Sequence, residues 1–175
     1  MEDILSIIKS RRSIKKYNSD MVSDELIDKV LTAGMYAPTG KNLQSPIILA
    51  VTNREVRDQL SRLCARVRGL DESFDPFYCA PVVLVVLAKK DVFTHVYDGS
   101  CVMENMLLEA HSLGLGACWI HHCKEMFETD EGREILSRAG VEGEYEGIGN
   151  CVLGYSDMPV LNELTRKNDY VYYIK

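Results

Sequence analysis

Apolar residues at three- and four-residue steps mark the helices of this chain. Ile4, Leu5 and Ile8 form one stripe, which predicts a short first helix ending near "KSRRS". Ser23 stands at a capping position ahead of Leu26, Ile27, Val30 and Leu31, which predict a second helix with those side chains inward. Val56, Leu60, Leu63 and Val67 repeat at helical spacing. The longest helix is expected from about Gly99 to Leu113, where Val102, Met106, Leu107, Ala110 and Leu113 make a broad apolar face and Gly114 and Gly116 stop it. A further helix is expected from Glu131 to Ala139.

Other stretches carry strand character. "IILAV" follows the breaker cluster "PTGKN", and "VVLVVL", bounded by Pro81, is rich in β-branched residues and reads as a buried strand. "ACWI" and "IGNCVLGY" read as two more. The tail "DYVYYIK" has strand propensity and no helical face. Such a tail either pairs within its own sheet or crosses to a second subunit. Helices and strands mix without regular alternation, which predicts an α+β fold in preference to a doubly wound parallel sheet. No linker or repeat interrupts the chain, so residues 1–175 are expected to form one domain.

Composition narrows the function classes. Of 175 residues, 46% are hydrophobic and 26% charged, which is globular. The net charge of −6 argues against broad binding to nucleic acid. "MEDILSIIKS" lacks the basic start of a secretory signal, and "APVVLVVLA" is far shorter than the ~20 residues of a spanning helix. Six cysteines, at 64, 79, 101, 118, 123 and 151, form no CxxC pair and mostly sit in apolar runs. They are expected to be reduced and buried, in a cytoplasmic protein.

Three stretches could carry chemistry. In "RRSIKKY" arginine forks and a serine hydroxyl suit phosphate oxygens, although cations also collect at a helix C-terminus because the dipole favours them there. In "APTGKNLQSP", Asn42 and Gln44 offer donors and acceptors for the edge of a heterocycle such as uracil, flavin or nicotinamide, or else form a polar turn. "LGLGACWIHHC" brings Cys118, His121, His122 and Cys123 close in sequence. The spacing suits no zinc site, and adjacent histidines in a strand would point to opposite faces. No Walker loop, dinucleotide fingerprint, GxSxG elbow or HExxH is present, so hydrolytic chemistry has no support.

Taken in order, "IIKSRRSIKKY", "LTAGMYAPTGKNLQSP", "CVMENMLLEAHSLGLGACWIHH", "VLGYSDMP" and "TRKNDYVYYIK" resemble the nitroreductase family of FMN-dependent oxidoreductases. The resemblance implies a central, mostly antiparallel sheet flanked by helices, with the C-terminal strand extending toward a dimer partner. It implies that Arg11 and Ser13 grip the FMN phosphate, with Arg12 near the phosphate and ribityl chain. Lys15 would face the flavin pyrimidine ring, where a positive group stabilises the negative charge of the reduced ring. Arg166 would be a second phosphate cation, backed by Lys167. Pro38, Thr39, Gly40, Asn42 and Gln44 would contact the flavin held mainly by the other subunit of a homodimer. Trp119, Ile120 and His121 would approach the flavin near its N5. The implied reaction passes hydride from NADH or NADPH, through the flavin, to a nitroaromatic, quinone or similar flat acceptor, with no dedicated catalytic side chain and no metal. The same grips would serve a flavin-binding store or sensor without turnover. Two departures stand out. "NLQSP" places Pro46 one position later than the family's Pro-Trp, and "RGLDESFDPFYCAP" replaces a longer stretch that donates flavin and substrate contacts.

Overall fold

The computed structural model describes residues 3–159 and 164–175. Four strands, β1 (Pro46–Val51), β2 (Val82–Lys89), β3 (Gly116–Ile120) and β4 (Tyr145–Gly154), form one sheet in the order β1-β2-β4-β3. Every neighbouring pair is antiparallel, as the family resemblance implies, and the fold is α+β, as the irregular mixture of elements predicts. Helices α2 (Asp24–Met35) and α4 (His95–Ser112) cover one face. Helices α3 (Arg54–Val67), α5 (Cys123–Phe127) and α6 (Asp130–Arg138) cover the other.

Strand β2 shows why the sheet sits in the middle. Val83, Val85 and Leu87 pack with α3 and α5, whereas Val82, Leu84, Val86 and Ala88 pack with α2 and α4. Successive side chains of a strand point to opposite faces, so an unbroken apolar run demands cover on both sides. A bulge opposite Val86 and Leu87, where the register jumps from Gly149 to Gly147, leaves Ile148 without a partner of its own. That residue fills the space beside Gly99, where any Cβ would overlap its side chain.

Two boundaries differ from expectation. Helix α4 begins at His95, a turn before Gly99, because its first turn is held by polar contacts and not by an apolar stripe. The Asp98 carboxylate accepts from the Thr94 hydroxyl at 2.9 Å, and the His95 ring meets the Val92 carbonyl at 2.8 Å. Its other end is as expected: Gly114 takes a positive φ of 76°, and Leu115 N–H reaches back to Ala110 O at 2.8 Å. Helix α5 has no apolar run long enough to announce it. Ser23 caps α2 with its backbone carbonyl, which accepts from Leu26 and Ile27, while its hydroxyl makes no capping bond.

Helix α1 (Ile4–Ser10) buries none of its residues, and Ile4, Leu5 and Ile8 stay exposed. The tail makes a 3-10 turn at Asn168–Tyr170, then runs on without joining the sheet of its own chain. Of the two alternatives for the tail, pairing within its own sheet is therefore not the one adopted. Among the described residues, no helix is long and apolar enough to cross a membrane.

Candidate functional site

The segment after α1 lies along the free edge of β3. Ser13 bridges Ala117 in parallel, and Ile14 N–H donates to Ala117 O at 3.0 Å. Farther on, Tyr17 bridges Ser156, Asn18 N–H donates to Tyr155 O at 3.1 Å, and Asp157 N–H donates to Lys16 O at 3.0 Å. Two apolar side chains anchor it. Ile14 fills the space over Gly116, and Tyr17 is buried with its hydroxyl donating to Ile14 O at 2.8 Å. Lys15 and Lys16 lie between these anchors, and Arg11, Arg12 and Ser13 just ahead of the first, all on a pinned backbone.

Arg11, Ser13 and Lys15 act electrostatically on the buried Cys118 thiol. Burial raises the Cys118 thiol pKa, while a hydrogen bond from Ser13 and the positive charges of Lys15 and Arg11 pull it back. The field of Arg11 also reaches Cys151, whose burial pushes it up to about 12. The segment thus brings a guanidinium, a hydroxyl and an ammonium to one sheet edge. That donor set suits a phosphomonoester, which needs several charge-assisted hydrogen bonds from different directions.

Arg12 is oriented differently. Its guanidinium donates to the carbonyls of Lys9 and Arg11, both at 2.7 Å, and so closes the C-terminal end of α1. Lys16 pairs with Asp157 at 2.6 Å. Of the two readings of the basic cluster, the helix-end one describes the Arg12 bonds to Lys9 and Arg11, while Arg11 and Lys15 lie with the segment along β3.

Along β3 the bond from Ile14 to Ala117 shows that odd-numbered residues turn their backbone groups toward this open edge. Alternation then aims Trp119 N–H and C=O the same way. The Trp119 indole packs on the α2–α4 side above Gly149, where a Cβ would strike Nε1. Ile120 is buried and His121 is exposed. His121 and His122 do not point to opposite faces, as two strand residues would. β3 ends at Ile120, His122 takes a left-handed φ of 69° to start α5, and the two rings lie 4.9 Å apart. Among the described residues, no three histidine, cysteine or acidic side chains come together as a metal group would.

The second expected contact surface lies at the far edge, ahead of β1. Residues 38–44 form a tight loop in which Lys41, Asn42 and Gln44 all adopt positive φ, at 52°, 55° and 49°. Gln44 N–H donates to Thr39 Oγ1 at 3.1 Å, and the Gln44 amide donates to Asn42 Oδ1 at 3.3 Å. Gly40 N–H donates to the buried Asp98 carboxylate at 2.9 Å. Pro38, Asn42 and Gln44 are exposed, while Thr39 and Gly40 are half-buried. Strands β2 and β4 separate this loop's edge from the Arg11 edge, a span of about 14 Å from β1 to β3 at the usual strand spacing. Within one chain the two halves of the expected site stand apart.

Arg166 and Lys167 lie in the exposed tail, where Lys167 sits 3.9 Å from Asp169 and 5.7 Å over the Tyr170 ring. No hydrogen bond or ion pair among the described residues joins either one to Arg11, Ser13 or Lys15. The 68–81 stretch is a structural knot. Asp75 accepts from the buried Arg57 at 2.5 Å, from Ser61 at 2.6 Å, and from the backbone of Phe77 and Cys79 at 2.9 and 2.7 Å. Neither Asp75 nor Asp98 was visible as a site residue, because each is a lone acid whose partners lie many positions away.

The sequence profile of the nitroreductase family matches residues 8–67 and 70–155. A protein of Methanothermobacter thermautotrophicus, provisionally named an NADH dehydrogenase/NAD(P)H nitroreductase, is 36% identical over 121 residues, or 67% of this chain. The match spans only 60% of that curated relative's length. A nitroreductase from Bacteroides fragilis, solved with bound FMN, is 28% identical and superposes over the full length of both chains with a TM-score of 0.88. An FMN-dependent nitroreductase from Clostridium difficile, also 28% identical, covers 98% of this chain and 99% of its own at a TM-score of 0.78. The family profile covers most of the chain and the fold superposes on a solved nitroreductase, so the chain belongs to the nitroreductase family.

Proposed function

We propose that this protein is an FMN-dependent oxidoreductase, working as a cytoplasmic homodimer. The observation that supports the reading is the basic segment of Arg11, Ser13 and Lys15 pinned along β3 by the Ser13–Ala117 bridge and the Ile14–Ala117 hydrogen bond. Arg11 and Ser13 bind the phosphate, and Lys15 sets a positive charge against the pyrimidine ring. Arg12 braces the turn from which they project, and Arg166 and Lys167 add cations from the tail. Trp119, Ile120 and His121 orient the ring through their backbone along β3. FMN, when bound, supplies hydride transfer from NADH or NADPH to a flat acceptor such as a nitroaromatic or quinone.

A dimer follows from what one chain leaves uncovered. Ile4, Leu5 and Ile8 on α1, Met35 and Tyr36 at the end of α2, Phe93 just before α4 and Tyr97 in its first turn are all exposed. So much apolar surface on a monomer marks an interaction site. A second copy would also bring the 38–44 loop of one subunit, with Pro38, Thr39, Gly40, Asn42 and Gln44, to the Arg11 edge of the other. Its exposed amides would then meet the ring edge while the apolar helix faces exclude water.

The test is optical. Purified protein should be yellow or take up added FMN stoichiometrically, and anaerobic NADH or NADPH should bleach it. Colour should return on adding a nitroaromatic. Folded protein that takes up no FMN would sink the proposal, and bound flavin that no nicotinamide bleaches would leave a binding protein without turnover.

A further inference from the structure

The 38–44 loop holds three non-glycine residues in a conformation that L side chains rarely adopt. Within the loop, Asn42 N–H donates to Thr39 O at 3.0 Å and Leu43 N–H to Gly40 O at 3.1 Å, beside the two bonds of Gln44, but none of these fixes the loop against the rest of the chain. The external tie is Asp98, only 4% exposed, whose carboxylate spans 58 positions to accept the Gly40 N–H through Oδ1. Its Oδ2 accepts from the Thr94 hydroxyl, which ties the same carboxylate to the start of α4. Both oxygens are engaged, and the charge sits in the first turn of that helix, where the dipole favours it. The fit is close as well as bonded: a Cβ at Gly40 would strike Thr94 Oγ1. Asn42 and Gln44 therefore project from a backbone pressed onto α4 and held there by one buried acid.

We infer that Asp98 is a positioning residue for flavin binding: through Gly40 it presets the loop whose Asn42 and Gln44 contact the flavin held by the other subunit. This role rests on the function proposed above. Asp98 touches no reacting atom. It fixes where the amides stand before the cofactor arrives, so that binding does not have to order them.

Three variants and one mixture test it. Asp98→Ala removes both bonds, and Asp98→Ser keeps a hydroxyl too short to reach Gly40. Each should raise the FMN dissociation constant about tenfold, the value of one charge-assisted hydrogen bond. Each should also speed hydrogen exchange at the Gly40 amide, a readout that needs no flavin. Asp98→Asn can still accept from Gly40 through Oδ1 and donate to Thr94 through its amide, so it should bind FMN within about threefold of the parent. The mixture pairs an Asp98→Ala chain with an Arg11→Ala chain in one dimer. One site then combines an intact Arg11 edge with an intact loop, so half the sites should bind at parental affinity. A folded dimer of Asp98→Ala or Asp98→Ser with parental FMN affinity and parental Gly40 exchange overturns the inference. So does a mixed dimer with no parental site. A parent protein that binds no FMN defeats the functional reading itself, and this role with it.

Discussion

Ile14 N–H donates to the carbonyl of Ala117 at 3.0 Å, and that bond brings the basic segment to the edge of β3. Apolar packing supports it, because Ile14 also covers Gly116. Together with the pairing of Tyr17, Asn18 and Lys16 to residues 155–157, it sets the backbone from which Arg11, Ser13 and Lys15 project.

Crowding the contact should therefore disturb binding from a distance. A Cβ at Gly116 would lie 3.0–3.1 Å from three Ile14 carbons, so Gly116→Ala must push the segment outward. We expect a loss of about 1–2 kcal/mol in denaturant unfolding, typical of overpacking, together with severalfold weaker FMN retention. A variant as stable and as yellow as the parent would show that the segment does not depend on this packing.

The cluster itself divides into gripping and bystander cations. Arg11→Ala and Ser13→Ala should each weaken FMN binding by about tenfold or more, the loss of a charge-assisted hydrogen bond. Lys16→Ala should change it little, since Lys16 is exposed and paired with Asp157. Flavin fluorescence titration compares all three, and equal losses would dissolve the distinction.

Trp119 is the chain's one tryptophan, so its emission reports the β3 edge directly. Gly149→Ala places a Cβ against Nε1 and must displace the indole. Emission should shift to the red and stability should fall by about 1–3 kcal/mol. An unshifted spectrum would mean the ring has room that the packing denies.

Asp75 gives the protein an acid-sensitive point. Burial raises its pKa, but the hydrogen bonds and charge of Arg57, with help from Ser61 and the Phe77 N–H, bring the net value below that of an ordinary aspartate. A carboxyl depressed in the folded state contributes stability above its unfolded pKa of about 3.9, and that contribution is lost as pH falls through the folded value. Thermal melts from pH 5 downward should show the parent losing stability more steeply than Asp75→Asn. At neutral pH, Asp75→Ala should cost about 3 kcal/mol, because it strips an acceptor from the buried Arg57.

Helix α1 makes the dimer testable without touching the core. Leu5→Glu with Ile8→Glu alters side chains that are exposed in the single chain, so circular dichroism should be unchanged. Sedimentation should show monomers, and FMN should be lost with the partner's loop. A dimer that survives both charges would place the interface elsewhere.

Much of this molecule could be read from local pattern. The apolar faces of α2, α3 and α6 and the run in β2 record burial by themselves, because a side chain's periodicity reflects which face is covered. The donor chemistry of "RRSIKKY" was equally legible as a candidate, since guanidinium and hydroxyl groups keep that chemistry wherever they are placed. The start of α4 and the whole of α5 were not, because polar bonds and a left-handed His122 define those boundaries and leave no apolar rhythm. Nor could the sequence separate Arg11 from Arg12, neighbours that turn to different partners once the segment lies on β3. The ties from Gly40 to Asp98 and from Arg57 to Asp75 link distant positions, and only pairing in three dimensions decides which lone acid meets which donor. Strand order did the rest: it set the basic edge and the "PTGKN" loop on opposite sides of one sheet, a separation that no local pattern in the sequence records.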